Sequence, residues 1–235
     1  MRIVITGTNR GLGLEFVRQY LDRGDEVFAT CRNPYAAAEL QDLQSRYAER
    51  LTILALDVAD QQSREDAFRE VQQKWEAVDL LVNNAAIRSG GNKHNYLLGE
   101  MFGEDMVKVF QVNAVAPLLM AEIFLELLES GQDPKIVNVT SRLGSIGSKT
   151  RVFGYSYCAS KSALNMLSKM LSIELESKGI IIIPIHPGHV QTDMGGSRAA
   201  MMPDESIRGM IEVIDSSTLE NSGRFLDWQG GEITW

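Results

Sequence analysis

Tyr157 and Lys161 stand four residues apart in the run Tyr155-Ser156-Tyr157-Cys158-Ala159-Ser160-Lys161. On a helix this spacing projects both side chains from one face. A phenol with an ordinary pKa of about 10 is a poor acid or base at neutral pH. A neighbouring ammonium stabilises the phenolate and brings its proton within reach of general acid–base work. Tyr155 has Ala159 at the corresponding position and lacks such a partner. Alone, a Tyr/Lys pair of this kind is ordinary helix-surface chemistry. Its neighbours in sequence raise its significance. Ser141 closes the run Ile136-Val137-Asn138-Val139-Thr140-Ser141, which places a hydroxyl at the carboxyl end of a strand, able to bond a reacting oxygen. A plain turn serine is the alternative.

A second constellation lies near the start of the chain, Thr6-Gly7-Thr8-Asn9-Arg10-Gly11-Leu12-Gly13. Between a first strand and a first helix, glycines allow a tight turn, close approach of backbone to a pyrophosphate, and helix–strand contact. The helix amino terminus then offers free N–H groups to the phosphates. A turn that only reverses the chain is the bland reading.

Both constellations need a scaffold, and the rest of the sequence supplies one. Short β-branched runs at 2–6, 26–31, 52–57, 80–83, 135–140, 180–186 and 224–228 alternate with helical periodicity, including long helices at 104–130 and 160–178. Most of the runs are apolar on both faces, as parallel strands covered on each side must be. Such alternation implies right-handed crossovers and an α/β architecture: a single Rossmann-fold domain over residues 1–235, doubly wound, with a mostly seven-stranded parallel sheet and helices on both faces. The less regular segments 88–99 and 187–203 fall where such folds bind ligands.

Composition narrows the class. The 235 residues are 44% hydrophobic, enough for a core without cross-links. Cys31 and Cys158 are too few for a disulfide framework and have no metal-ligand spacing, so no metal site is expected. A net charge of −8 argues against nucleic acid. No apolar run reads as a membrane span, and the opening MRIVITG reads as a strand rather than a secretory leader. A cytoplasmic enzyme is the expectation.

The glycine pattern is G-x-x-x-G-x-G. With Asp57-Val58, Asn83-Asn84-Ala85-Ala86, Asn113, Ser141, Tyr157-x-x-x-Lys161 and Pro187-Gly188, it resembles the classical short-chain dehydrogenase/reductase family over essentially the whole chain. Val190-Gln191-Thr192-Asp193-Met194-Gly195-Gly196, Glu205-Ser206 and the tail ending in Trp235 narrow the likeness towards C-factor-like and sniffer-type carbonyl reductases. Ala86 departs from the family's usual glycine, and His189 stands where close relatives would have tryptophan.

The resemblance implies an oxidoreductase that interconverts a carbonyl compound and an alcohol with a nicotinamide cofactor. Tyr157 would be the acid/base, tuned by Lys161, with Ser141 on the reacting oxygen. Asn113, a poor helix residue whose bland reading is a satisfied core amide, would hold a relay water through its main-chain carbonyl. The cofactor would meet Gly7, Thr8, Asn9, Arg10, Gly11, Leu12, Gly13, Asp57, Val58, Asn84, Ala85, Ala86, Tyr157, Lys161, Pro187, Gly188, Val190 and Thr192. Asp57 has a helix cap as its alternative. The acid of the family's NAD-preferring members falls on Cys31, followed by Arg32. With Arg10 this implies NADP(H) in preference to NAD(H), since guanidinium suits a 2′-phosphate. Met194, Met201 and Met202 suggest apolar walls for the substrate. A homodimer or homotetramer is implied. An NADP(H)-binding signalling protein with little turnover is the competing reading.

Overall fold

The computed structural model describes residues 1–88, 98–99 and 102–235. Seven parallel strands form one sheet in the order β3-β2-β1-β4-β5-β6-β7. They are β1 (Arg2–Thr6), β2 (Glu26–Cys31), β3 (Leu51–Ala55), β4 (Leu80–Asn83), β5 (Lys135–Val139), β6 (Ile181–His186) and β7 (Leu226–Asp227). The expected strand at 52–57 begins a residue earlier and ends before Leu56, and the expected strand at 224–228 shrinks to two paired residues.

Side chains alternate across a strand, so each strand feeds two cores. Ile3 and Ile5 of β1 pack on one face with α1 (Gly11–Arg23), α2 (Ala38–Arg46) and α8 (Pro203–Ser216). Val4 faces the other way, into a core shared with α3 (Gln61–Lys74), α5 (Ala116–Ile123), α6 (Leu125–Glu129) and the end of α7 (Tyr155–Glu174). A doubly wound sheet follows directly from this alternation. Its order reverses between β1 and β4, and the crevice at their carboxyl ends is the ligand-binding position of such folds.

The single helix expected at 104–130 is in fact segmented. α4 (Gly103–Phe110) runs into a π-helical turn, Gln111–Val115, then α5 and the short α6. Pro117 explains the break, because proline has no N–H for the carbonyl of Asn113 four residues before it. The stretch Gly103–Ile123 is long and apolar enough to pass as a membrane span on composition, contrary to the sequence reading. Its Val109, Val112, Ala116 and Met120 are buried against the protein's own core.

Candidate active site

The crevice at the switch point is a cleft of about 920 Å³. One end is the glycine turn. Gly7 and Gly11 have φ of 71° and 58°, a region that favours glycine. A Cβ on Gly13 would lie 2.2 Å from the carbonyl oxygen of Gly7, so only glycine lets α1 approach β1 this closely. α1 begins without a side-chain cap and without an acid in its first turn. Its N–H groups and partial positive charge therefore face the cleft unspent, a cradle suited to a pyrophosphate. The donor set fits a dinucleotide.

Asn84 holds the turn in place. Its Nδ2 donates to the carbonyls of Thr6 and Gly7, each at 2.9 Å. Thr8 is fully buried, its Oγ1 donating to the Thr30 carbonyl at 3.1 Å, and it locks β1 to β2 instead of lining the cleft. Asn9, Arg10, Gly11, Leu12, Arg32, Asp57, Val58, Ala85 and Ala86 do line it. The cap of α3 is Asp60, which accepts from Ser63 N at 2.7 Å, so Asp57 is not the helix cap. Asp57 turns its carboxylate to Ala59 N at 3.0 Å. Arg10 reaches across the cleft to Asp193 at 3.0 Å, an exposed pair of small worth that exchanges readily.

At the other end stand Ser141, Tyr157 and Lys161. Ser141 follows β5, its Oγ accepts from Leu143 N at 3.2 Å, and it lines the cleft together with Tyr157. α7 carries Tyr157 and Lys161 in its first two turns, both buried. Lys161 Nζ lies 6.0 Å from the Tyr157 ring centroid and donates to the Val139 carbonyl at 2.7 Å. Burial depresses its pKa to about 7. Burial also pushes the Tyr157 phenol up, while the Arg88 guanidinium and the Ser141 hydrogen bond pull it down.

Asn113 sits in the π turn behind this cluster, outside the cleft lining. Its Oδ1 accepts from Ile87 N at 2.8 Å, and its Nδ2 donates to Ile87 O at 2.9 Å and Ser160 Oγ at 3.1 Å. The side chain is thus a satisfied core amide that ties the loop after β4 to the start of α7. Only its main-chain carbonyl remains for the relay role.

The segment after β6 closes the cleft with Pro187, Gly188, Val190 and Thr192, whose Oγ1 accepts from Gly195 N at 3.0 Å. His189 is exposed on the rim. Met194 and Met201 line the cleft and Met202 does not. Most of the loop expected at 88–99 lies outside the described residues. The sequence did not single out Arg142, Phe153, Asp227 or Trp228, which also line the cleft, and it named Arg88 only as the start of the segment 88–99. An arginine directly after Asn83-Asn84-Ala85-Ala86-Ile87, at the carboxyl edge of the sheet, was the available signal for Arg88.

A doubly wound sheet with a glycine turn at one end of its cleft and a Ser/Tyr/Lys cluster at the other defines a nucleotide-binding oxidoreductase architecture. The short-chain dehydrogenase family model matches residues 1–203, and the chain belongs to that family of oxidoreductases. It is 40% identical to C-signal of Myxococcus xanthus over 158 residues, covering 67% of this chain and 93% of that protein. Among solved structures it resembles the NADPH-bound carbonyl reductase from chicken fatty liver, with a TM-score of 0.93, 35% identity, and 100% and 98% of the two chains covered. The carbonyl reductase Sniffer of Drosophila melanogaster gives the same TM-score at 31% identity, covering 100% and 99%.

Proposed function

We propose that this chain is a cytoplasmic, NADP(H)-dependent carbonyl reductase acting on a small carbonyl compound or the corresponding alcohol. The observation that carries the reading is the placement of Ser141, Tyr157 and Lys161 in the same cleft as the glycine turn.

The bound nicotinamide cofactor supplies the hydride. Backbone N–H groups at Gly11–Gly13 hold its pyrophosphate, and Asp57 and Val58 flank the adenine. Arg32 takes the 2′-phosphate, joined by Arg10 when it exchanges Asp193 for the stronger anion; Cys31 offers no acid to favour a bare ribose. Ser141 Oγ and Tyr157 Oη position and polarise the carbonyl oxygen, and Tyr157 gives it a proton. Lys161 bonds the nicotinamide ribose, and its charge stabilises the phenolate that Tyr157 leaves. A water on the Asn113 carbonyl returns the proton through Lys161. The chain's own contribution is positioning and proton delivery. Two unpaired cysteines suit a reducing compartment. A homodimer is the proposed assembly, through an exposed apolar stripe on α7.

Calorimetric titration with NADPH and NADH at equal ionic strength is the first test. The expected result is tighter binding of NADPH, with the preference lost in Arg32→Asp. Tyr157→Phe should bind NADPH about as tightly as the parent and lose most turnover, by roughly a hundredfold or more. Undiminished turnover in that variant removes Tyr157 from the acid/base role. Binding without turnover of any carbonyl would favour a regulatory protein.

A further inference from the structure

Among the described residues, Arg88 and Arg142 are arginines of the catalytic end that the proposed mechanism leaves unused, and Arg142 faces Asp227 at 3.7 Å. The Arg88 guanidinium carbon lies 5.1 Å from the Tyr157 ring centroid and 5.4 Å from that of Phe153. Nη1 donates to the Met194 carbonyl at 2.7 Å, while Nε is buried without a partner. No carboxylate among the described residues forms an ion pair with it. Of the acids that line the cleft among the described residues, Asp193 pairs with Arg10 at 3.0 Å, Asp227 faces Arg142 at 3.7 Å, and Asp57 accepts from Ala59 N at 3.0 Å.

A half-buried guanidinium with an idle donor is a costly thing to build without a counter-charge. Its backbone is also held firmly, because Asn113 clamps both polar groups of the preceding Ile87. A planar fork of this kind pairs two-pronged with a carboxylate, and aromatic faces behind it hold it flat. Its position 5.1 Å from the ring of the tyrosine that would meet the reacting oxygen sets the reach: the anion must sit close to the carbonyl.

We propose that Arg88 binds the carboxylate of the substrate, and that the enzyme's preferred carbonyl compounds are short 2-oxo or 3-oxo acids. This rests on the carbonyl reductase reading and narrows its substrate class. It replaces the broadly apolar preference suggested by the methionines, which here line only the remainder of the cleft. Two other roles for Arg88 are distinguishable from this one. As an electrostatic aid to Tyr157 it would serve charged and neutral substrates alike. As a stacking element against Phe153 it would matter to stability alone.

The test compares pyruvate with methyl pyruvate and acetoacetate with methyl acetoacetate, in the parent and in Arg88→Leu. Comparing acid-to-ester ratios of kcat/KM between variants cancels the esters' different carbonyl reactivity. The ratio for at least one pair is expected to fall roughly tenfold to a hundredfold in Arg88→Leu, with partial recovery in Arg88→Lys. Equal losses on acid and ester, or an unchanged ratio for both pairs, overturn the proposal. A second readout needs no turnover: calorimetric titration of oxamate and of oxamide into the NADPH-saturated enzyme. Oxamate should bind the parent more tightly than oxamide and lose that advantage in Arg88→Leu. Equal binding of the two by the parent, with no acid preference in kinetics, also overturns it. Absence of NADPH binding, or of turnover on any carbonyl, would instead count against the carbonyl reductase reading, while an oxamate preference of the cofactor-free protein would still support Arg88.

Discussion

Lys161 illustrates how a single side chain can carry cost and function together. It is fully buried, has no carboxylate partner among the described residues, and its pKa falls from 10.5 to about 7. Between these values the unfolded chain binds more protons than the folded one, so this residue makes stability rise with pH through that window. Below about pH 7 the folded lysine is charged as well, and its contribution becomes constant at its least favourable value. Lys161→Met removes the effect. The difference in unfolding free energy between parent and variant should shift towards the parent by up to about 1.4 kcal/mol per pH unit as pH is raised from neutral. Urea melts of both proteins at several pH values between 7 and 9 check this, and parallel behaviour would show that the lysine is solvated. The residues of this site were legible to different degrees. Tyr157, Lys161 and Ser141 stood out because their types and spacing state a chemistry. Arg88 did not, because one arginine after a strand reads as a solvated surface charge until its aromatic neighbours are seen. Thr8 was misplaced for the reverse reason. Within a glycine turn every residue looks available to phosphate, yet its hydroxyl is spent on the Thr30 carbonyl.

At the scale of elements, strands were readable because β-branched runs bounded by helical periodicity have few alternatives. The segmentation of the helix at 104–130 was missed although Pro117 was visible. Apolar periodicity continues through the π turn, and the pattern registers which faces are buried, not whether each carbonyl finds its donor. The turn has a consequence for stability that can be measured. Asn113 has no exposed surface and ties three groups from two elements, Ile87 N, Ile87 O and Ser160 Oγ. Asn113→Ala would strand these buried partners and leave a small void beneath the site, a loss of about 2–4 kcal/mol. The expected result is a clearly lower denaturant midpoint with an unchanged slope. A midpoint equal to the parent's would mean that water replaces the amide at no cost, and the clamp on the Arg88 loop would lose its basis. Because α7 and the loop after β4 are the elements joined, weaker NADPH binding should accompany the lower stability.

For the whole molecule, the outward face of α7 is the informative surface. Tyr157, Lys161, Leu164 and Ser168 point into the protein, while Met166, Met170 and Ile173 are 62%, 57% and 66% exposed. Their spacing of four and three residues puts them in one stripe, opposite the catalytic face. α4 packs beside α7 and adds Val107, also exposed. Large apolar side chains lined up on neighbouring helices are an unfavourable surface for a chain to leave in water, and a two-fold copy of the same stripe is the simplest complementary cover. The cover would press on the helix that holds the acid/base pair, so assembly would stiffen the site from behind. Size-exclusion chromatography with light scattering at micromolar concentration should therefore give twice the chain mass. Met170→Glu places a carboxylate at the centre of the stripe on both copies, where charge repulsion and desolvation oppose pairing. That variant should run at the mass of one chain and keep its circular dichroism spectrum, since Met170 contributes little to the monomer's core. A parent protein that stays a monomer across this concentration range would mean that the stripe is tolerated in water, and that α7 holds Tyr157 and Lys161 by the packing of its inner face alone.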